Sequence, residues 1–197
     1  MPTPTQLCFA SNNAHKLDEI RPLLPPGLTL LSLADIECAE ELPETQDTLE
    51  GNARQKAEYV LQHYGVACFA DDTGLEVNAL NGEPGVYSAR YAGPQRRAED
   101  NVAKLVQELH GTTDRSARFR TVVALAGADG TVHEFDGEVD GTIIQQPRGA
   151  GGFGYDPVFV PTEGDGRTFA EMSGTEKNRI SHRARAVAKL LAYLNAR

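Results

Sequence analysis

Short apolar runs alternate with helical patterns along the first 70 residues, and this alternation limits the possible folds more than any other feature of the sequence. Thr5–Ala10, Leu28–Leu33 and Val66–Ala70 are short and apolar, as buried strands are. Later in the chain, Ala117–Ala126 and Thr131–Glu138 flank an Asp-Gly turn and predict a hairpin. Because alternating strands and helices favour parallel pairing and a hairpin adds antiparallel pairing, we expect an α/β fold with a mixed sheet.

The helical patterns have recognisable ends. The predicted helices cover Leu17–Leu24, a segment from Asp47 or Thr48 to Tyr64, Gln95–Leu109 and a C-terminal segment around Val187–Leu194. Pro25-Pro26-Gly27 is expected to end the first, and Asp47 with Glu50 fits a capping box for the second. Arg148–Pro157 is rich in glycine and is predicted to be irregular.

Composition excludes several classes of protein. The 197 residues contain 28 Asp and Glu against 19 Lys and Arg, which gives a net charge of −9 and argues against binding to duplex nucleic acid. No apolar run approaches the roughly 20 residues of a membrane span. Residues 1–6 lack the features of a secretory signal, so we expect a cytoplasmic protein. The length suits a single domain over residues 1–197, possibly with two lobes.

The three cysteines do not form a metal-binding or redox motif. Cys8, Cys38 and Cys68 are 30 residues apart, with no CxxC pair and no histidine at zinc-ligand spacing. Cys8 and Cys68 lie in apolar, strand-like runs. We therefore expect buried, structural thiols.

A polar segment links the first strand to the first helix. Ser11-Asn12-Asn13-Ala14-His15-Lys16 could offer backbone N–H groups and a lysine charge to a phosphate. It lacks the glycines of a Walker A sequence. The alternative, which this segment alone favours, is an ordinary N-capped helix with a surface lysine.

Carboxylates follow another buried strand. Asp71-Asp72-Thr73-Gly74 comes directly after Val66–Ala70, and strand-end carboxylates are common ligands of Mg²⁺. The alternative is a turn that ends the strand. The acidic stretch Glu40–Thr45 is either a solvated surface or the source of a second metal-binding carboxylate.

Two segments near the C-terminus suit a flat heterocycle. Gly149–Pro157 combines four glycines with Phe153 and Tyr155, whose rings could stack on a base unless they lie in the core. Lys177–Arg183 places cations at the start of the last helix, where the helix dipole disfavours them, so a bound base or phosphate would explain them. The alternative is an ordinary basic helix end.

Together these segments resemble the inosine/xanthosine triphosphate pyrophosphatase family. The resemblance covers nearly the whole chain. It rests on Ser11–Lys16, Pro43–Thr45, Glu50–Ala53 with Lys56, Ala70–Leu75, Pro84–Tyr91, Gly151–Pro157 and Ser181–Arg183.

The resemblance implies an elongated mixed twisted β-sheet flanked by helices, two lobes with a central substrate cleft, a homodimer and Mg²⁺ as cofactor. The implied reaction is the hydrolysis of ITP, dITP and XTP to the monophosphate and pyrophosphate. Asp72 would be the general base, and Glu44 and Asp72 would bind the metal. Thr73 would contact the substrate. The other implied substrate-binding residues are Ser11, Asn12, Asn13, Ala14, His15, Lys16 and Lys56 towards the phosphates, and Phe153, Gly154, Tyr155, Asp156, Lys177, His182 and Arg183 around the purine.

Two other functions remain open at this point. The chain could be a catalytically silent purine-nucleotide sensor, although Glu44 and Asp72 are both present. It could also be a pyrophosphatase for modified pyrimidine triphosphates.

Overall fold

The structure is a computed structural model that describes residues 6–196. Residues 1–5, which include Thr5, the predicted first residue of a strand, lie outside the described residues. The strands are β1 (Gln6–Phe9), β2 (Thr29–Leu31), β3 (Cys68–Val77), β4 (Pro84–Gly85), β5 (Ser116–Ala126), β6 (Val132–Ile143) and β7 (Phe159–Pro161). The α-helices are α1 (Ala14–Ile20), α2 (Leu49–Tyr64), α3 (Ala98–Glu108), α4 (Gly174–Asn178) and α5 (His182–Asn195).

The strands form a mixed sheet in the order β2-β1-β3-β5-β6-β7, with β4 paired to β3. β1 pairs in parallel with β2 and with β3, so that Cys8 is opposite Leu31 on one side and Cys68 on the other. β3 pairs antiparallel with β4, and β6 with β7. The predicted α/β class and mixed sheet are therefore confirmed.

The described chain divides into two compact units. The first unit holds the described residues of Met1–Asp72, Thr121–Gly137 and Arg183–Arg197, and the second holds Thr73–Arg120 and Glu138–His182. Each unit has its own hydrophobic core. Residues such as Phe9, Phe69 and Val187 form the core of the first, and residues such as Leu105, Phe119 and Phe159 form the core of the second.

The first helix is shorter than its apolar pattern predicts. α1 ends at Ile20, and a single 3₁₀ turn over Arg21–Leu23 follows it. Pro22 lies in that turn and has no N–H to continue the helical hydrogen bonds, so it ends the helix before Pro25 does. The prediction that Pro25-Pro26-Gly27 ends the helix was wrong.

Thr48 caps the second helix. Its hydroxyl accepts from the N–H of Gly51, and Gly65 ends α2 with a left-handed backbone. The prediction of a helix that ends at Tyr64 is confirmed, whereas the prediction of a capping box with Asp47 as the cap was wrong. The buried face of α2 includes Asn52 and Lys56 together with its apolar residues.

β3 extends well beyond the apolar run that predicted it. The strand continues through Asp71, Asp72 and Gly74 to Val77, where Leu75 and Glu76 pair with β4. The two aspartates therefore lie inside a strand, and the interpretation of this segment as a turn was wrong. A Cβ atom at position 74 would lie 2.6 Å from the carbonyl oxygen of Gly85, so the close pairing of β3 with β4 requires glycine at Gly74.

The predicted hairpin and the cysteines match the structure. β5 and β6 are adjacent strands, and β6 continues beyond the predicted end at Glu138 to Ile143. All three cysteines are free thiols with buried side chains. Among residues 6–196, the structure contains no helix whose length and hydropathy would let it span a bilayer.

Candidate active site

Asp71 and Asp72 point to opposite sides of β3, because consecutive side chains of a strand alternate. Asp71 is fully buried in the first unit. Its Oδ1 accepts from Nζ of Lys16 at 2.7 Å, and its Oδ2 accepts from Nε of Arg183 at 3.1 Å. Burial acts to raise the pKa of Asp71, but the charges of Lys16 and Arg183 outweigh it and lower the pKa below its usual range. Asp71 is therefore a stable anion that holds two cations.

Arg183 extends this network to the first helix. Its side chain is fully buried, and Nη1 donates to a carboxylate oxygen of Glu19. The resemblance assigned Arg183 to the purine, but its contacts in the first unit are with Asp71 and Glu19. Its role in purine binding stays a prediction. In the structure, Arg183 joins two carboxylates of the first unit, one from β3 and one from α1.

Asp72 takes part in a second network, with residues of α2 and of the acidic stretch. Nζ of Lys56 lies 2.7 Å from Oε1 of Glu44 and 3.2 Å from Oδ1 of Asp72, and it also donates to the carbonyl oxygen of Asp71 at 2.7 Å. The carboxylates of Glu44 and Asp72 therefore converge on one ammonium group. The structure pairs Lys56 with these carboxylates, and its implied contact with phosphate stays a prediction.

Burial and the neighbouring charges set the pKa of both partners in this pair. Burial raises the pKa of Asp72 above its usual value, and although Lys56 acts against this, Glu44 adds to it. Burial acts to lower the pKa of Lys56, but Asp72 and Glu44 outweigh it and raise the pKa. Asp72 is thus a stronger base than an ordinary surface aspartate, as a proton acceptor should be.

The polar segment after β1 forms a compact loop. The Oγ of Ser11 accepts from the N–H of Asn13 at 3.2 Å, and Oδ1 of Asn13 accepts from the N–H of Lys16 at 3.3 Å. Asn13 is therefore the N-cap of α1. Asn12, Ala14 and His15 are exposed.

The second unit holds a buried ion pair below aromatic rings. Nζ of Lys177 lies 2.5 Å from Oδ2 of Asp156, and both side chains are almost fully buried. The same carboxylate oxygen accepts from the N–H of Phe153 at 2.9 Å. Nζ of Lys177 lies 5.1 Å from the ring centre of Phe153 and 5.2 Å from that of Phe169. The glycine-rich loop and α4 are therefore joined through one carboxylate.

His182 lies in the same aromatic group. Its ring stacks on Phe119 with centroids 4.6 Å apart and an interplanar angle of 15°. Phe119 comes from β5 and also packs against Phe159 and Phe169. The backbone at Gly154 in the nearby loop is left-handed, which suits glycine.

Tyr155 is part of the core of the second unit. Its hydroxyl donates to the carbonyl oxygen of Ser88 at 2.9 Å, and the Oγ of Ser88 accepts from the N–H of Leu75 at 2.9 Å. The Pro84–Tyr91 segment thus connects the glycine-rich loop to β3, just after Thr73. This is a structural role for Tyr155, and its predicted contact with the purine stays untested.

The predicted residues fall into two sets. Within the first unit the structure brings Lys16 and Arg183 to Asp71, and Lys56 and Glu44 to Asp72. Within the second it brings together Phe153, Asp156, Lys177 and His182. Sequence reasoning missed Glu19, Asn52, Phe119 and Phe169. A signal existed for Asn52, which precedes Lys56 by four residues on the apolar face of α2.

Among residues 6–196, no group of three or more His, Cys, Asp or Glu side chains is placed to hold a metal ion by itself. Glu44 and Asp72 provide carboxylate oxygens, which are suitable ligands for a hard divalent cation that takes its other ligands from substrate phosphates and water. Fold and site together define an α/β protein with a carboxylate-and-lysine centre of the kind that serves phosphoryl chemistry.

Comparisons with known proteins agree with this class. The model of the Ham1 family matches residues 7–193, and the chain belongs to this family. The chain is 53% identical to the dITP/XTP pyrophosphatase of Flavobacterium johnsoniae over 97% of this chain and 98% of that protein. It is 54% identical to the dITP/XTP pyrophosphatase of Porphyromonas gingivalis, over 96% and 97% of the two chains.

Solved structures show the same fold. The Ham1 protein of Staphylococcus aureus superposes with a TM-score of 0.87 at 39% identity, covering 97% of this chain and 98% of that chain. A nucleoside-triphosphatase / dITP/XTP pyrophosphatase from Mycobacterium abscessus gives a TM-score of 0.76 at 43% identity, covering 94% and 98%. The family predicted from the sequence motifs is therefore confirmed.

Proposed function

We propose that this protein hydrolyses deaminated purine nucleoside triphosphates (ITP, dITP and XTP) to the monophosphate and pyrophosphate, and so removes them from the nucleotide pool. The observation that carries the proposal is the convergence of Glu44 and Asp72 on Lys56 within the first unit. The substrate class follows from the relatives. They are dITP/XTP pyrophosphatases, and their similarity to this chain covers nearly their whole length.

We assign the triphosphate to the first unit, where Ser11–Lys16 form its binding loop. An ammonium group has three donors, so Lys16 can hold Asp71 and still donate to phosphate. This charge matters because a protein with a net charge of −9 has to bind a substrate that carries about four negative charges near neutral pH.

In the reaction, Asp72 accepts a proton from the water that attacks the phosphoanhydride. Its raised pKa favours this transfer. Glu44 and Asp72 are the residues that would hold Mg²⁺, because oxygen ligands from carboxylates suit this ion. When bound, the ion would offset triphosphate charge and lower the pKa of the attacking water. Lys56 holds the two carboxylates in place for this task.

We assign the purine to the second unit. Phe153, Tyr155 and the glycine-rich loop would enclose the ring, with Thr73 and Gly154 contacting substrate. Lys177 and His182 are donors that suit the 6-oxo group of hypoxanthine or xanthine. Adenine presents an amino group at this position, which would leave buried donors of the site unpaired. The substrate cleft, the homodimer and the cytoplasmic location stay predictions.

Product analysis with and without Mg²⁺ tests this proposal, with ITP, XTP, dITP, ATP, GTP and a modified pyrimidine triphosphate as substrates. We expect monophosphate and pyrophosphate from ITP in the presence of Mg²⁺, with ATP nearly inert. Orthophosphate as the first product would contradict the mechanism. Tight ITP binding without turnover would indicate a sensor, and turnover of the pyrimidine alone would indicate the other pyrophosphatase class.

A further inference from the structure

We propose that Asn52 is a positioning residue that fixes the orientation of the Asp72 carboxylate. Asn52 is the fourth residue of α2, and its side chain is almost fully buried in the first unit. Its Nδ2 donates to Oδ2 of Asp72 at 3.2 Å. The proposal rests on the function proposed above, in which Asp72 accepts the proton of the attacking water.

Two donors hold the two oxygens of this carboxylate separately. Lys56 donates to Oδ1 and Asn52 to Oδ2, both at 3.2 Å. Asn52 and Lys56 are four residues apart and therefore lie on the same face of α2. A carboxylate held by one donor can still rotate about its terminal bond, whereas two donors on different oxygens fix its plane. Two side chains from one face of a single helix thus set the orientation of the base.

The amide of Asn52 is itself fixed in orientation. Its Oδ1 accepts from the backbone N–H of Gln46 at 2.9 Å. Since an amide can only accept at its oxygen and donate at its nitrogen, this bond directs Nδ2 towards Asp72. Gln46 is two residues after Glu44, so Asn52 connects the backbone next to one carboxylate with the side chain of the other.

A purely structural role would require only the bond to Gln46. Asn52→Asp separates the two roles, because aspartate keeps the acceptor for the N–H of Gln46 and loses the donor to Asp72. Asn52→Ala removes both. Loss of a hydrogen bond to a charged group lowers kcat by roughly 10- to 100-fold if the bond is needed in the transition state.

The chain offers a closely matched control in Asn101. It is the fourth residue of α3 and is also buried. Its Oδ1 accepts from the N–H of Ala92 at 2.7 Å, and its Nδ2 donates to the carbonyl oxygen of Ala89 at 3.0 Å. Asn101→Ala therefore removes a buried helical asparagine of the same kind whose donor serves the backbone.

Steady-state kinetics with ITP on the three purified variants test the proposal. We expect kcat to fall 10- to 100-fold in Asn52→Ala with KM within about two-fold of wild type, and to fall at least as far in Asn52→Asp. Asn101→Ala should lower the unfolding temperature and keep the wild-type kcat. A wild-type kcat in Asn52→Asp would overturn the proposal, as would an equal loss of kcat in Asn101→Ala.

A second measurement does not depend on turnover. Hydrogen exchange of the Asn52 side-chain amide, followed by NMR, should be slow in the wild-type protein and at least about 10-fold faster in Asp72→Ala, because the amide loses its acceptor. Fast exchange in the wild type, or no change in Asp72→Ala, would overturn the proposed contact. A wild-type protein inactive on every nucleotide would instead overturn the proposed function, and the exchange measurement would still decide on the contact.

Discussion

The two units use buried ion pairs differently. In the first unit, ion pairs link Asp71 to Lys16 and Arg183, and link Lys56 to Asp72 and Glu44. In the second unit, the ion pair of Lys177 with Asp156 lies next to aromatic rings. The first arrangement places several opposite charges close together and so prepares fixed charges for a polyanion and a proton transfer. The second arrangement keeps the donors Lys177 and His182 buried, and buried donors favour discrimination between similar heterocycles. Under the proposed function, the first unit would determine the rate of hydrolysis and the second would determine the selectivity for the base.

The largest expected effect comes from removing the proposed base in the first unit. Asp72→Asn keeps the shape of the side chain and removes its basicity, so we expect the kcat for ITP to fall roughly 10³- to 10⁴-fold, as losses of a general base reach this size. Pyrophosphate release measures the rate, and calorimetry with a non-hydrolysable ITP analogue measures binding, which should persist. Asp165→Asn, in an exposed loop of the second unit, is the control. Unchanged turnover in Asp72→Asn would remove Asp72 as the base.

The second prediction tests the buried ion pair of the second unit against an exposed pair of the first. Lys177→Met leaves Asp156 buried without its cation and should lower the free energy of unfolding by about 3–5 kcal/mol. Lys189→Met removes the partner of Asp136, where both side chains are more than half exposed, and should cost at most about 1 kcal/mol. Urea unfolding of both variants measures the difference. Equal losses would contradict the view that burial makes the Lys177 pair important.

The smallest expected effect concerns the free energy of unfolding at alkaline pH, to which the buried thiols of the first unit contribute. Burial raises the pKa of Cys68 to about 12 from an ordinary value near 9. The unfolded thiol therefore loses its proton at a lower pH than the folded one, so this contribution to stability is complete below pH 9 and is lost as the pH rises towards 12. In Cys68→Ala the fall in the free energy of unfolding between pH 9 and 11 should be less steep by about 1 kcal/mol per pH unit.

Urea unfolding at half-unit pH steps measures this slope. Lysine and tyrosine side chains are the same in the wild type and in Cys68→Ala, so their contributions cancel in the comparison. Parallel curves for the wild type and Cys68→Ala would show that the thiol of Cys68 does not contribute. Cys8→Ala offers an independent repeat, because burial also raises the pKa of Cys8 to about 12.

Local patterns predicted β1, β2, β5, β6, α2, α3, α5 and the mixed sheet, because these elements follow from the periodicity of apolar residues and from local turns. They did not predict β4, β7 and α4. They failed where a distant partner decides the outcome. β3 continues past Asp72 because it pairs with β4, and the apolar run before Asp71 carries no sign of this pairing. The first helix was predicted too long for a local reason: the apolar pattern continues past Pro22, whereas the missing N–H of this proline ends α1 at Ile20.

The site shows the same limit. The resemblance supplied its residue types, yet neither it nor the spacing indicated which charge faces which. Arg183 binds Asp71, 112 residues earlier in the chain, and Lys56 binds Asp72 and Glu44. Such contacts depend on tertiary packing. The buried position of Asn52 was in principle visible, because it shares the apolar face of α2, and the sequence interpretation counted only the apolar residues there.

The position of Asp71 has a consequence for the synthesis of the chain. Its two cations come from α1 and α5, so the arginine leaves the ribosome more than a hundred residues after the carboxylate it will bind. Until then, the nascent first unit also lacks Val187 and Leu190, which pack with Phe9 and Phe69. We therefore expect the amino-terminal half to stay incompletely folded, and dependent on protection from aggregation, until translation is almost finished.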